Sequence, residues 1–472
     1  MSNPEPYTPY CGLIYNDANQ PVRAASAPHV AISAPTRTGK TRRILAPAAV
    51  LHPGPVVCVS SKPDLAELVL LKRCLGVAGV IDLRPEQTEI WPATVQRMAT
   101  DPTATVVDAE EALTVAETML ATSGVGFGGA SSAMSATAGG LWESQAAPPL
   151  ACLLFAAGPC GNGKGMPWVL DAVQDFGMPD PMDPDAEPPP LGAPSWLTAY
   201  GLCPHPKLAQ PLYSVIAGMD ARLRDSIKVT VSKAVTPWLR LGLRNDALAA
   251  GLGDIEQLTT ETFDLDMLDE PDATLFVIAP NTGSVAGAAV ALIDSIIRRF
   301  RRKTSNHQLT HRLLLELDEV CNSCPLPNLL TYVGESAGLG VNIMATVQAT
   351  AHFEVVFGSK YAEALRVMFP GTLIMYGAHE RYLLEEASHW LGETTRRTES
   401  YEPHSGSRGQ SSVYGQMIGW QELLPQNREE AQLLQRGTAG ERVHIPDWSE
   451  FLEVYDQAIE RRLHKQRHGS SR

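Results

Sequence analysis

The sequence lacks any long apolar run. A membrane-spanning helix needs about 18–20 consecutive apolar residues, and the most apolar patch here, residues 148–159, is shorter and begins and ends with proline. The amino terminus has neither the basic segment nor the apolar segment of a secretory signal. We therefore expect a cytoplasmic chain that meets the inner face of the cell membrane through partners or through a segment missing from this sequence.

Excess positive charge and a disulfide framework are missing too. The chain has 52 acidic and 38 basic side chains, a net charge of −14. This balance argues against a protein that coats DNA with its whole surface, because phosphate binding requires lysine and arginine. A localised basic groove or pore stays open. The eight cysteines are scattered, and the C-x-x-C pair Cys321 and Cys324 has no further ligands at zinc-site spacing nearby.

What the chain does have is a series of short apolar segments that alternate with helical patterns. They lie at residues 29–33, 56–60, 77–82, 273–279, 312–318, 341–346 and 372–376. Segments that are apolar on both faces are typical of parallel strands. The alternation predicts βαβ units, and hence an α/β fold with a central, mostly parallel sheet. Near the carboxyl terminus, the pattern predicts an edge hairpin at 396–414, a strand at 442–445 and a helix at 447–462.

The pattern changes in the middle of the chain, where no segment between residues 92 and 240 indicates a strand. Helical patterns lie at 108–120, 141–155 and 213–241, with a Gly/Ser/Ala-rich loop at 123–140 and a proline- and acid-rich surface segment at 180–194. This predicts an all-α domain, residues 96–240, inserted into a discontinuous nucleotide-binding domain formed by residues 1–95 and 241–472.

The segment after the first strand has the pattern of a phosphate-binding loop. Residues 34–41 read Ala-Pro-Thr-Arg-Thr-Gly-Lys-Thr and lead into a helical run at 42–50. The backbone N–H groups of such a loop surround the phosphates of a nucleotide. The predicted nucleotide-binding residues are Pro35, Thr36, Arg37, Thr38, Gly39, Lys40 and Thr41. Lys40 would reach the β- and γ-phosphates, and Thr41 would hold Mg²⁺. Ala34 replaces the usual first glycine, which is acceptable if its φ is negative.

A strand that ends in acidic residues supplies the second half of an NTPase site. We predict that Asp318 holds Mg²⁺ through a water molecule and that Glu319 activates the attacking water as a general base. Glu316 competes for this role because it lies two residues before Asp318, on the same side of the strand. Gln348 follows the next strand and would contact the γ-phosphate as a second catalytic residue. The alternative for Gln348 is an ordinary loop or capping glutamine.

Several short motifs occur in one characteristic order. They are the loop at 34–41, Ser61-Lys-Pro-Asp64, Leu317-Asp-Glu319, Leu326-Pro-Asn-Leu329, Gly338-Leu-Gly-Val341, Gln348 with Phe357-Gly358 after it, and Leu391-Gly-Glu-Thr-Thr395. In this order they resemble the coupling-protein ATPases of type IV secretion and conjugation, the TraG/TraD group. The resemblance implies a RecA-like motor domain with an inserted all-α domain, and ATP and Mg²⁺ as ligands. It also implies a homo-hexamer that docks on secretion-channel components and feeds them DNA or a secreted protein, a relaxase or an effector.

Two departures from the family pattern keep alternatives open. Family members usually begin with transmembrane helices, and residues 334–338 contain no arginine that could act across a subunit interface. The trans-acting arginine therefore stays unassigned, with Arg222, Arg224 and Arg366 as unsupported candidates. A cytosolic DNA translocase like the FtsK/HerA ATPases and a weakly hydrolysing recruitment platform are the alternative functions.

Overall fold

The computed structural model of the chain describes residues 7–73, 76–84, 91–123, 140–178, 192–252, 261–280, 285–401, 408–438 and 440–469. The strands are β1 Leu13–Tyr15, β2 Pro21–Arg23, β3 Val30–Ser33, β4 Val56–Ser60, β5 Ala78–Asp82, β6 Val95–Ala99, β7 Glu261–Thr262, β8 Thr274–Ile278, β9 Leu313–Leu317, β10 Val341–Val347, β11 Gly371–Met375, β12 Glu393–Tyr401, β13 Arg408–Gln416, β14 Glu430–Gln435 and β15 Glu441–His444.

The α-helices are α1 Ala46–Leu51, α2 Asp64–Leu70, α3 Ala109–Ala121, α4 Gly140–Ala157, α5 Gly165–Ala172, α6 Trp196–Leu202, α7 Pro206–Gly218, α8 Ala221–Leu252, α9 Ala286–Ser305, α10 Val320–Ser323, α11 Leu329–Glu335, α12 His352–Phe357, α13 Ser359–Met368, α14 Arg381–Trp390 and α15 Trp448–Gly469. A π-helical turn, Thr41–Leu45, leads into α1, and 3-10 turns lie at Pro102–Thr105, Leu265–Asp269, Ser336–Leu339 and Trp420–Leu423. In the described part of the chain, no helix combines the length and apolar character needed to cross a membrane.

Thirteen strands form one sheet in the order β2-β1-β15-β14-β11-β3-β10-β9-β4-β8-β5-β6-β7. The strands from β11 to β7 are parallel, and β14, β15, β1 and β2 extend the sheet in antiparallel fashion. All seven predicted central strands are present, as β3, β4, β5, β8, β9, β10 and β11. The predicted α/β fold with a mostly parallel sheet is confirmed.

Alternate side chains of each central strand enter two different cores. On β9, Leu313, Leu315 and Leu317 pack into the core that contains the helical middle of the chain. Leu314 points to the opposite core, which is formed with α1, α2 and α15. All four leucines are fully buried. Burial on both faces explains why the central strands are continuously apolar in sequence.

Some strands escape the sequence pattern. β6 lies within the stretch predicted to contain no strand, so that prediction is wrong there. Only Val95 of β6 is buried, because β6 lies near the end of the sheet and lacks the two-sided apolar signature. The predicted hairpin is present as β12 and β13, but the two strands form a separate sheet and not an edge of the main one.

The middle of the chain is helical from α3 to α8, but the predicted boundaries at 96 and 240 fall inside β6 and α8. Its core is continuous with one face of the sheet, since Leu150 and Trp196 belong to the same buried cluster as Val57 and Ile81. The division into two domains therefore stays a prediction. The predicted loop at 123–140 and the surface segment at 180–194 lie largely outside the described residues.

Candidate nucleotide site

Residues 34–41 leave β3 at its carboxyl end and turn directly into the helix that follows. The backbone N–H of Ala34 donates to the Val347 carbonyl oxygen at 2.9 Å, which ties the start of the loop to the end of β10. The Thr38 hydroxyl donates to the Pro35 carbonyl oxygen at 2.8 Å and closes the turn. These bonds fix the start and the turn of the loop, which helps to direct its backbone N–H groups toward a phosphate.

The backbone of the loop depends on two residues with positive φ. Gly39 has φ 88°, and a Cβ at this position would lie 3.1 Å from Cδ of Arg43. Arg37 has φ 64°, an unusual value for a residue with a side chain. Ala34 is fully buried and is not among the residues with positive φ. Alanine therefore fits the position where the usual pattern has glycine.

Lys40 lies between the two predicted acids. Its Nζ is 3.2 Å from Oδ1 of Asp318 and 3.0 Å from Oε1 of Glu319. The adjacent strands β3, β10 and β9 bring these side chains together, because the carboxyl ends of parallel strands meet at the same edge of the sheet. Opposite charges at this distance attract strongly when they are partly shielded from water.

Two hydroxyl groups from neighbouring strands fix the carboxylate of Asp318. Ser60 Oγ donates to Oδ2 at 3.0 Å, and Thr346 Oγ1 donates to Oδ1 at 2.9 Å. The register explains these contacts, since Leu317 pairs with Val59 on β4 and with Ala345 on β10. Sequence reasoning missed both hydroxyl groups; strand order and register would have revealed them.

Glu319 has a left-handed backbone, with φ 51° and ψ 54°. Its N–H donates to Thr346 Oγ1 at 2.8 Å, and its carboxylate accepts from Asn322 Nδ2 at 3.3 Å and Gln348 Nε2 at 3.4 Å. Burial alone would raise the pKa of Glu319, but the hydrogen bond and charge of Lys40, with these amide donors, hold the pKa below its usual value. Glu319 is therefore ionised at neutral pH, and a strained backbone at such a position is common in functional sites.

Glu316, the competing acid, lies in the interior of the protein. Its side chain is fully buried and accepts a hydrogen bond from Cys58 Sγ at 3.3 Å. Burial raises the pKa of Glu316 well above its usual value, and the nearby Asp318 carboxylate adds to the rise. A carboxyl group that is buried in this way is shielded from water at the sheet edge, which favours Glu319 over Glu316 as the general base.

The predicted Mg²⁺ ligands are the Thr41 hydroxyl and the Asp318 carboxylate. Both are hard oxygen donors of the kind that Mg²⁺ prefers, and Mg²⁺ usually takes only one or two protein ligands beside water and phosphate. The two hydroxyl donors already fix the Asp318 carboxylate. The donor set therefore fits the ion.

Of the three candidate arginines, Arg366 and Arg224 make side-chain contacts within the chain. Arg366 donates from Nε to Thr350 Oγ1 at 3.1 Å and pairs with Glu354 at 2.7 Å. The guanidinium of Arg224 lies over the Phe176 ring at 4.9 Å. Arg222 is exposed at the start of α8.

Comparison with known proteins identifies similar folds. The family model described as "TraM recognition site of TraD and TraG" matches residues 312–428. No curated protein matches the chain. The bacterial conjugative coupling protein TrwBdeltaN70, in an unbound form, matches with a TM-score of 0.52 and 16% identity over 94% of this chain and 89% of that chain.

Two further TrwB structures contain nucleotides. The plasmid coupling protein TrwB in complex with ADP and Mg²⁺ has a TM-score of 0.52 and 17% identity, over 92% of this chain and 88% of that one. TrwB with the non-hydrolysable GTP analogue GDPNP has a TM-score of 0.51 and 16% identity, over 89% and 85%. These matches confirm the RecA-like P-loop NTPase fold and the resemblance to TraG/TraD-type coupling proteins. At this identity they establish the fold alone.

Proposed function

We propose that the chain is an ATP-hydrolysing coupling protein that recruits a DNA or protein substrate and delivers it to a type IV secretion or conjugation channel. One observation carries the proposal: the ammonium group of Lys40 lies within 3.2 Å of both strand-end acids, Asp318 and Glu319, at the edge where the loop leaves β3. The similarity of the fold to TrwB, which has been seen with ADP and Mg²⁺, supports ATP and Mg²⁺ as its ligands.

The residues of the chain have separate tasks in hydrolysis. Backbone N–H groups of the loop bind the phosphates, and Lys40 neutralises charge on the transferring phosphoryl group. Glu319, ionised at neutral pH, accepts a proton from the attacking water, and Gln348 helps to orient that water. Mg²⁺ held by Thr41 and Asp318 would supply further positive charge to the phosphate oxygens.

Lys40 must exchange partners for this chemistry. Its ammonium group neutralises the two acids, which otherwise repel each other across a partly buried site. A bound triphosphate presents more negative charge than the carboxylates do, so it competes for the ammonium group. Because Lys40 lowers the pKa of Glu319, release from Lys40 raises the proton affinity of this carboxylate, which couples nucleotide binding to activation of the base.

We also propose that the active form is a homo-hexamer. The chain has a net charge of −14. The five basic residues at the end of α9 form ion pairs within the chain: Arg298 and Arg302 with Glu111, Arg299 and Lys303 with Asp269, and Arg301 with Glu335. Acids of the same chain thus already neutralise this basic run, whereas a ring would concentrate the basic residues that face its axis.

The deciding experiment measures ATP hydrolysis by the purified chain with and without single- and double-stranded DNA. We expect turnover that DNA stimulates. Nucleotide binding without turnover would indicate a recruitment platform. Turnover without binding to a relaxase or an effector would favour a cytosolic translocase.

Assembly is tested by analytical ultracentrifugation of Glu319→Gln, which should bind ATP but hydrolyse it slowly. We expect mostly monomer at low concentration, a hexamer with ATP and DNA together, and steep loss of DNA binding as salt rises. A chain that stays monomeric under all these conditions would contradict the motor proposal.

A further inference from the structure

The buried carboxylate of Glu380 lies outside the nucleotide site described above, but it connects two segments of that site. Glu380 follows β11, directly precedes α14, and is 7% exposed. Its Oε1 accepts hydrogen bonds from Ser33 Oγ at 2.6 Å and from the Thr350 N–H at 2.7 Å. Its Oε2 accepts from Thr350 Oγ1 at 2.6 Å. A buried carboxylate is tolerated only when such donors replace its water.

The positions of these donors give the contact its meaning. Ser33 is the last residue of β3, immediately before the nucleotide-binding loop. Thr350 lies two residues beyond Gln348. Val347, on the other side of Gln348, is bonded to the N–H of Ala34 at 2.9 Å. The chain on both sides of Gln348 is therefore attached to the end of β3, once directly and once through Glu380.

We propose that Glu380 is a positioning residue that holds Gln348 in register with the nucleotide loop; this inference rests on the proposed ATPase function. The side chain of Gln348 is exposed, and its contact with Glu319 is long, at 3.4 Å. Its own contacts therefore hold it weakly, and its backbone attachments determine where the amide lies. A displacement of about 1 Å in such a group is enough to lower a rate substantially.

Arg366 supports the same attachment from the other side. Its Nε donates to Thr350 Oγ1 at 3.1 Å, and its terminal nitrogen donates to the Thr350 carbonyl oxygen at 3.0 Å. Thr350 is thus held between a carboxylate and a guanidinium group, and Glu354 balances the charge of Arg366 at 2.7 Å. The arrangement assigns Arg366 a role within its own subunit.

Glu380→Gln tests the inference because it keeps the size of the side chain but removes one acceptor oxygen. We expect turnover to fall about 10-fold, with the affinity for a fluorescent ATP analogue unchanged within roughly 2-fold. Glu385→Gln is the matched control. Glu385 lies on α14, five residues after Glu380, and pairs with Arg381 at the surface, so Glu385→Gln should change neither quantity.

A double-mutant cycle separates positioning from general stabilisation. If Glu380 acts through Gln348, then Glu380→Gln should cost nothing more in a Gln348→Ala background. A further loss of about 10-fold in that background, or a weaker nucleotide affinity, would show that Glu380 merely stabilises the loop, and would overturn the inference. Parental turnover in Glu380→Gln alone would overturn it as well.

Hydrogen exchange provides a readout that does not depend on turnover. Peptides covering residues 347–352 should exchange faster in Glu380→Gln, because the amide has only one acceptor oxygen for the three donors that the carboxylate accepts from, and a bound ATP analogue should protect these peptides less. Peptides from residues 34–41 should keep the parental exchange. If the parental chain proves unable to hydrolyse ATP, the proposed function fails, but unchanged exchange at 347–352 still refutes the positioning role and faster exchange still supports it.

Discussion

The two ends of the central strands hold their charged groups in different ways. At the carboxyl ends, Lys40 is shared between two carboxylates, and its side chain is 12% exposed. At the amino ends, the guanidinium group of Arg73 donates to backbone carbonyl oxygens, among them those of His52 at 2.8 Å and Gly54 at 3.0 Å. The first arrangement can exchange partners with an incoming ligand, and the second cannot without breaking the fold.

The histidines of the amino ends are neutral and locked. The Ile343 N–H donates to Nδ1 of His29 at 3.1 Å, which leaves Nε2 to donate to the Ser336 carbonyl oxygen. Nε2 of His52 lies 2.8 Å from the Arg312 carbonyl oxygen. Burial lowers the pKa of both histidines to about 4. We call the carboxyl ends of these strands, with the proposed nucleotide site at Lys40, Asp318 and Glu319, the reactive edge. We call the amino ends, with Arg73, His29 and His52, the amino edge. Substitutions at the two edges should have different effects.

The largest effect is expected from Lys40→Ala. Turnover should fall by about 10²–10³-fold, because one cation aimed at the transferring phosphate is lost. The melting temperature should fall modestly, because the Asp318 and Glu319 carboxylates lose the cation between them, so turnover is compared well below it. Lys72→Ala is the control: Lys72 pairs with Asp456 at the surface, and its loss should leave turnover intact. Parental turnover in Lys40→Ala would refute the site.

Arg73→Met should have the opposite effect, with a large loss of stability and a small change in turnover. Several buried carbonyl oxygens would lose their donor, and the free energy of unfolding should fall by about 3 kcal/mol. Urea unfolding measures this loss. Arg42→Met, which breaks an exposed pair with Asp447, should cost less than about 1 kcal/mol. If both substitutions cost the same, Arg73 is not the structural anchor of the amino edge.

Lowering the pH should reduce the stability of the fold first through the amino edge, where His29 and His52 are buried. A histidine with a lowered folded-state pKa contributes fully above its unfolded value of about 6.5, and the contribution is lost as pH falls toward the folded value of about 4. At about pH 5 the loss should approach 2 kcal/mol for each histidine. Glu319, whose pKa is lowered, stays ionised in this range and should not contribute.

Urea unfolding between about pH 7.5 and pH 5 checks this window. His52→Gln should reduce the dependence on pH, whereas His389→Gln, at an exposed position, should keep the parental dependence. Stability that is constant across the window would contradict neutral, buried histidines.

Much of the reactive edge could be predicted from the sequence, because local patterns encode it. The apolar strands, the loop at 34–41 and the acids after β9 each occupy a few consecutive residues. Parallel strands with these endings meet at one edge of the sheet, so the proximity of Lys40, Asp318 and Glu319 follows from the fold class. The contacts of Lys40 with the two acids agree with that expectation.

The supporting contacts could not be predicted in this way, because they join distant parts of the chain. Ser33 and Glu380 are 347 residues apart, and no local pattern distinguishes Glu380 from a surface glutamate before a helix. Arg73 likewise resembles a solvated residue at a helix end. β14 was missed because its sequence, Glu-Ala-Gln-Leu-Leu-Gln, mixes polar and apolar residues. Such contacts require strand order and register, which the sequence pattern leaves undetermined.

The smallest effect is expected from the backbone of the loop itself. Arg37 is exposed and has φ 64°, a conformation that glycine adopts without steric cost. Arg37→Gly should therefore raise the free energy of unfolding by about 0.5–1 kcal/mol, measured by urea unfolding. Gly39→Ala is the matched opposite: at φ 88°, with Arg43 Cδ 3.1 Å from the added Cβ, it should lower the free energy of unfolding by about 1 kcal/mol or more. If Arg37→Gly destabilises the chain instead, the Arg37 side chain makes a stabilising contact that outweighs the backbone strain. The exposed loop at the reactive edge would then be stabilised by this side chain as well as by its backbone hydrogen bonds.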